Sequence, residues 1–151
     1  MRDGTTVDDC RIVRLPRIQR VEGDITPIES HDGVPFPIQR VYYLYDVPAG
    51  ASRGAHAHRE LEQLIVSVIG SFSLVLKDGR TERRVELRRA DEGLYMPRLI
   101  WRELVDFSHG GICVVLASNP YDAGDYIRDY DEFVRLKGSP ERSPVRRAPA
   151  K

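Results

Sequence analysis

Apolar positions along this chain recur mostly with a period of two, in short runs cut by turn residues. A period of two is the mark of strands with one face buried. The pattern predicts strands over 10–15, 24–29, 36–46, 72–76, 81–89, 93–97, 100–105 and 112–117, with Pro27 placing the second of these at an edge. Residues 61–69 are apolar on both phases, as expected of a strand covered on both faces. Lys77-Asp78-Gly79-Arg80 carries the Asp-Gly signature of a tight hairpin. Only at 121–136 does the period change: Tyr126, Ile127, Tyr130, Phe133 and Val134 follow helical spacing behind Asp122 and Asp125. About ten short strands and one closing helix predict an all-β antiparallel barrel or double-sheet jelly roll with a C-terminal helix. The polar start predicts a disordered stretch over 1–10 and the Pro/Arg/Ala/Ser-rich end another over 138–151, leaving one domain over 11–137.

One stretch stands apart, Arg53-Gly54-Ala55-His56-Ala57-His58 followed by Glu62-Gln63. On a strand His56 and His58 share a face while Ala55 and Ala57 take the other. Paired imidazoles on an inner wall suit metal ligation or proton transfer, and as plain core residues they would be buried at a cost. His31 and His109 fall in turn sequences and read as solvated.

Composition narrows the classes. Lys plus Arg and Asp plus Glu number 23 each, so no broad basic field suggests nucleic acid and no acidic excess suggests disorder. A local arginine cluster holding a phosphate remains compatible with that balance. Cys10 and Cys113 lie far apart and form no metal or redox motif. No run is long and apolar enough for a leader or a membrane span, so the expectation is a cytoplasmic protein without membrane contact.

Gly50, His56-x-His58, Glu62 and Gly70 together resemble the first signature of the cupin superfamily, small double-stranded β-helix barrels. In metal-binding cupins the two histidines and the glutamate ligate one ion with a fourth ligand from a second signature. That signature corresponds here to Gly93–Pro97 and onward to Trp101-Arg102, and the fourth position falls on or near Arg102. A guanidinium has donors and no lone pair, so it cannot ligate a cation and repels one nearby. Imidazole, in contrast, exchanges protons at neutral pH, and an adjacent arginine stabilises the oxyanion left when a proton leaves carbon beside a carbonyl.

A more specific resemblance covers about residues 20–136. Ile38-Gln39-Arg40-Val41-Tyr42-Tyr43, the Arg53–His58 stretch, Glu62-Gln63, Gly93-Leu94-Tyr95, Trp101-Arg102-Glu103, Leu116-Ala117-Ser118 and Asp125-Tyr126-Ile127-Arg128-Asp129-Tyr130 are similar, in order, to the sugar 3,4-ketoisomerases. Members of that family act on dTDP-4-keto-6-deoxyglucose in bacterial deoxysugar pathways, moving the ketone from C4 to C3 through an enediol and giving a 3-keto-6-deoxyhexose for deoxyaminosugar synthesis. The resemblance implies His58 as the base at C3, His56 as its relay or positioning partner, and Arg102 as the oxyanion partner, with no metal or other cofactor. It offers Tyr43 and Gln63 as contacts to the hexose. Arg40 and Arg53 would hold the diphosphate, whose oxygens match a guanidinium fork. It also implies a homodimer, with which the two-faced apolar run 61–69 is compatible. Glu62 and Gln63 have opposite phases, so an unbroken strand turns only one of them to the cavity.

Two positions depart from the family pattern. Arg102 stands where many members have histidine, and Glu22 precedes Gly23 where arginine or tyrosine is common. Both bear on the configuration at C4 of the product, and arginine after the tryptophan leans towards the gluco form. Other readings of the same residues are a metal-dependent cupin, a sugar-nucleotide binding domain without catalysis, and a 3,5-epimerase that removes a proton beside the same ketone.

Overall fold

The structure, a computed structural model, describes the backbone of residues 4–147 and the side chains of residues 4–138. Twelve strands are formed among the described residues: β1 (Arg11–Arg14), β2 (Glu29–Ser30), β3 (Gly33–Val34), β4 (Arg40–Leu44), β5 (Arg53–His58), β6 (Gln63–Ile69), β7 (Phe72–Lys77), β8 (Glu82–Leu87), β9 (Glu92–Met96), β10 (Trp101–Val105), β11 (Ile112–Ala117) and β12 (Tyr126–Ile127). The helix α1 (Tyr130–Arg147) follows. Two antiparallel five-stranded sheets result, ordered β1-β9-β6-β11-β4 and β12-β5-β10-β7-β8, with β2 and β3 a small parallel pair beside them. This is the expected all-β jelly roll with one C-terminal helix.

Alternation explains where the core sits. Inward residues of both sheets, among them Ile65, Phe72, Leu74, Leu76, Leu87, Leu94, Met96, Ile100 and Val115, form the main core. Fully burying such side chains is worth about 1.5–3 kcal/mol each against exposure. The run predicted to be covered on both faces is so covered by its own chain: Leu64 and Val66 of β6 turn outward and pack beneath Leu15, Val34 and Phe36.

At both ends the structure differs from the sequence-based expectation. Residues 1–3 lie outside the described residues, but the rest of the supposedly disordered start is anchored. Thr6 caps a single 3₁₀ turn (Val7–Asp9), the Val7 N–H donates to the Asp78 carboxylate at 2.9 Å, and Val7 and Cys10 are buried in the main core. Asp78 serves two ends at once, because its other oxygen accepts from Arg80 and Thr81 N–H in the β7–β8 turn.

The expected helix over 121–136 begins at Tyr130. Ahead of it Ala123–Asp125 forms a 3₁₀ turn, and Tyr126 and Ile127 pair with His58 and Ala57 as an edge strand. Ladder hydrogen bonds to an open sheet edge outweigh a helical period that is only local. The helix then closes the outer face of the second sheet through Phe133 against Trp101, Ile127, Ala57 and Leu99. It continues through Arg147, into the stretch expected as a tail; residues 148–151 of that stretch lie outside the described residues. No helix among the described residues is long and apolar enough to cross a membrane.

Candidate active site

The site is built on a bulge in β5. Arg102 of β10 pairs with His56, but Glu103 pairs with Gly54, so Ala55 is the extra residue. Gly54 (φ +93°) and Ala55 (φ +53°) take left-handed backbone to accommodate it. A Cβ on Gly54 would stand 3.1 Å from the Arg102 carbonyl oxygen, which is why glycine is needed there. Beyond the bulge, regular alternation sends Ala57 into the packing under the helix and keeps His56 and His58 on the inner face.

Between the two sheets lies a cavity of about 540 Å³, open at one end of the sandwich. Its polar lining comprises Arg40, Tyr42, Ser52, Arg53, His56, Gln63, Arg102, Tyr126 and Arg128, and its apolar floor Leu44, Ile65, Leu104 and Val115. Four guanidinium groups and no carboxylate line it, so the cavity attracts anions.

The two histidines do different things. His56 lines the cavity, and its Nδ1 lies 2.9 Å from the Gly54 carbonyl oxygen. Nδ1 therefore carries the proton and Nε2 the lone pair. Burial, reinforced by the positive charge of Arg102, pushes the His56 pKa down to about 4, so the ring is neutral at pH 7. His58 is only 1% exposed and lies behind His56 rather than in the lining, the rings meeting edge-on at 4.8 Å. Its Nδ1 is 3.0 Å from Asp125 Oδ2, and its Nε2 is buried without a hydrogen-bond partner. Burial and Arg102, with further cations behind them, depress the His58 pKa too, outweighing the carboxylate at Nδ1. Tyr126 packs against both rings at 4.9 and 4.5 Å.

Asp125 holds this arrangement together. Its Oδ1 accepts from the Glu60 N–H at 2.7 Å, and its backbone oxygen accepts from the Arg59 N–H. The loop after β5 is thereby tied to β12, with the carboxylate facing His58.

Arg102 is 2% exposed and its partners are carbonyl oxygens: Ile100 O, and Gln63 Oε1 at 2.5 Å. Burial lowers its pKa to about 10, which leaves it charged at neutral pH. A buried cation without a carboxylate partner costs free energy that an incoming negative charge would recover.

Several residues expected from the sequence meet here: His56, Gln63, Arg40, Arg53 and Arg102 all line the cavity, Arg53 at its exposed mouth. The Arg40 Nε is buried without a hydrogen-bond partner, its guanidinium 5.1 Å from the Tyr42 ring. Tyr43 does not join them. Strand alternation puts Tyr42 inward, whereas Tyr43 is 60% exposed on the outer face beside Tyr45. Tyr43, expected as a contact to the hexose, thus lies outside the cavity, and its neighbour Tyr42 lines it instead. Asp125, Tyr126 and Arg128 were missed as site residues because 121–136 reads as helix; Asp-Tyr-Ile-Arg does not alternate, so only the pairing of Tyr126 and Ile127 with β5 reveals the edge strand.

The metal set of cupins does not fit these residues. Glu62 has the phase opposite to Gln63, faces away from the histidines and accepts the Tyr95 hydroxyl at 2.6 Å, while Arg102 fills the fourth-ligand position. Among the described residues no three His, Cys, Asp or Glu side chains are gathered as a metal-binding group.

Fold and cavity define a cupin-type jelly roll equipped for proton transfer on an anionic substrate, with imidazole and guanidinium in place of a ligand sphere. Residues 8–138 match the family described as FdtA: WxcM-like, C-terminal, and the chain belongs to that family. It is 39% identical over 123 residues to the TDP-4-oxo-6-deoxy-alpha-D-glucose-3,4-oxoisomerase of Aneurinibacillus thermoaerophilus, covering 82% of this chain and 88% of that protein. Among solved structures, it is similar to the TDP-quinovose 3,4-ketoisomerase of Campylobacter jejuni, with a TM-score of 0.82 and 43% identity over 85% of this chain and 99% of that one. It is also similar to a histidine-to-asparagine mutant of a 3,4-ketoisomerase from Thermoanaerobacterium thermosaccharolyticum in complex with TDP-4-keto-6-deoxyglucose (TM-score 0.81, 38% identity, 83% and 91% coverage).

Proposed function

We propose that this chain moves the keto group of dTDP-4-keto-6-deoxy-D-glucose from C4 to C3, as its relatives' names describe for them. The observation that carries the proposal is the strand pair His56–Arg102: a neutral imidazole with a free Nε2 beside a buried guanidinium without a carboxylate partner. His56 Nε2 takes the proton from C3, and the electron pair becomes an enediolate with its charge on O4. Arg102 stabilises that charge. The O3 proton passes to O4, C4 is protonated, and the ketone is left at C3. C3 is oxidised and C4 reduced within one molecule, so no redox cofactor enters the balance.

This reverses the order implied by the resemblance, because His56 faces the cavity and His58 stands behind it. His58 with Asp125 then acts as a support that fixes the orientation of its neighbour and of Tyr126. Arg40, Arg53 and Arg128 hold the diphosphate. Gln63 belongs to the substrate wall through Arg102. A nucleotide-activated substrate and two free buried cysteines agree with a cytoplasmic setting.

A homodimer is part of this reading, supported by Val41, Tyr43 and Tyr45 exposed together on and beyond the edge strand β4. Sedimentation should show a dimer that Tyr43→Glu weakens; a monomer at micromolar concentration would remove this part. The activity is tested by incubating the protein with the 4-keto sugar nucleotide in D2O and following it by NMR. Loss of the C3 proton signal with appearance of a 3-keto product is expected. Exchange at C5, with epimerisation, would mark a 3,5-epimerase instead, and no exchange would leave a binding domain.

A further inference from the structure

Between β9 and β10 the chain makes a turn in a costly conformation. Leu99 takes left-handed backbone at φ +56°, a region that residues with a Cβ occupy only when their surroundings hold them there. The packing shows what holds it: the Leu99 side chain is 6% exposed and sits among Ala57, Trp101, Ile127 and Phe133 under α1. Leu99 and Ile100 are not among the residues that line the cavity.

The turn nevertheless presents two successive backbone groups to the site. The Leu99 N–H donates to the His58 carbonyl oxygen at 2.8 Å. The Ile100 carbonyl oxygen accepts from Arg102 Nε at 3.2 Å and from Nη2 at 3.1 Å, which fixes one edge of the guanidinium, while Gln63 Oε1 holds Nη1. A further tie joins the turn to the loop after β5, from Arg98 Nε to the Arg59 carbonyl oxygen at 2.6 Å. Arg102 is the strand partner of His56, so the direction in which Ile100 holds its side chain sets how its charge stands to the imidazole. Leaving the left-handed region at Leu99 would swing the Ile100 peptide and release that edge.

We propose that Leu99 is a positioning residue for the proton-transfer pair: clamped under α1, it keeps the turn left-handed, the Ile100 carbonyl on Arg102, and the guanidinium beside His56. The proposal rests on the ketoisomerase reading, in which His56 takes the proton and Arg102 receives the charge. Leu99 itself touches no substrate and acts through Arg102. The groups facing His56 are Arg102 of β10, Tyr126 and Arg128 of β12, and His58 of its own strand. Of these the turn holds the Arg102 side chain.

The test changes the backbone preference and keeps the apolar volume. A β-branched residue is a true outlier in left-handed backbone, so Leu99→Ile attacks the turn, whereas Leu99→Met leaves it in place. The His56 titration is followed by NMR in the free protein, and kcat with the 4-keto sugar nucleotide. Leu99→Ile is expected to raise the His56 pKa from about 4 towards 6.5, as Arg102→Met does, and to lower kcat about 10²-fold with KM within about twofold of wild type. Leu99→Met should keep both at wild-type values. In an Arg102→Met background Leu99→Ile should lower kcat no further, because the two act through one group. Should Leu99→Ile fail to fold, Phe133→Leu trims the same clamp from the helix side and should move the His56 pKa the same way, by less. A His56 pKa that follows Arg102→Met but not Leu99→Ile or Phe133→Leu overturns the proposal, and so do losses of kcat that multiply in the double variant. A wild type that does not convert the sugar overturns the ketoisomerase reading instead, and the titration still decides whether Leu99 holds Arg102.

Discussion

The two ends of this sandwich are made by the same sheets with the same alternation, yet one is dry and the other charged. At the dry end Phe72 stacks on Phe107 at 4.8 Å, and Leu74, Leu76, Leu87 and Leu94 leave no polar group between them. At the other end the inward positions of β5, β6 and β10 are His56, His58, Gln63 and Arg102. Strand β10 runs through both, with Arg102 in the cavity and Leu104 where cavity floor and core meet. The difference shows a division of labour. Burial at the dry end supplies the stability that lets the other end hold a cation and two neutral imidazoles without full compensation.

If that division is real, the two ends should fail differently. The largest effect belongs to His56→Asn, which removes the lone pair at the cavity and keeps a polar side chain there. Exchange at C3 and turnover should both fall about 10³–10⁴-fold, with the urea midpoint little changed. Next is Phe72→Ala at the dry end. It should cost about 3–5 kcal/mol in urea unfolding, while the folded fraction keeps its kcat and KM. Loss of activity beyond the unfolded fraction would show that the ends are coupled.

Arg102→Met sits at the junction of the two behaviours. Loss of an oxyanion partner should lower kcat about 10²–10³-fold. It should also move the pH profile. In the proposed mechanism His56 works in its neutral form, so in the wild type the acid limb of kcat/KM should fall at about pH 4. Arg102 is one of the causes holding that pKa down, and its removal should shift the limb upward towards the ordinary imidazole value of about 6.5. A limb that stays put would mean that burial alone sets the His56 pKa. Stability follows the same sign. The folded imidazoles have depressed pKa values, so the unfolded chain binds more protons from about pH 6.5 down to about pH 4 for His56 and about pH 2 for His58. Their contribution is full above pH 6.5 and is lost as the pH falls through that window.

Most of the fold was legible because short apolar runs cut by turn residues are a local property, alternating with period two in β4 and β8 and apolar on both phases in β6. The site was half legible for the same reason. His56, Gln63 and Arg102 follow from the phase of their strands, as does the separation of Glu62 from Gln63. The phase that puts Arg40 inward also puts Tyr42 there, so Tyr43 was avoidable. What the sequence hid depends on contacts distant along the chain. Asp125 reaches His58 across 67 positions, and Tyr126 pairs with an edge that exists only once the second sheet is assembled. The anchoring of Val7 by Asp78 is of the same kind, a single hydrogen bond spanning 71 positions.

The smallest expected effect tests the rim of the charged end. Arg53 is exposed at the mouth, on the residue before the bulge, and a solvated guanidinium contributes little unless its partner is fixed. Bound to a diphosphate oxygen, it forms a charge-assisted pair worth about 1 kcal/mol once solvent screening is allowed for, or roughly fivefold in affinity. Arg53→Ala should therefore raise KM about fivefold and leave kcat unchanged. The increase should shrink as salt is raised from about 50 to about 500 mM, because exposed charges are screened over about one Debye length. Arg102→Met should show no such salt dependence, since its charge is buried between the sheets. Equal salt sensitivity in the two variants would place Arg102 in contact with solvent and the diphosphate, and would undo the contrast between a buried oxyanion partner and an exposed phosphate clamp.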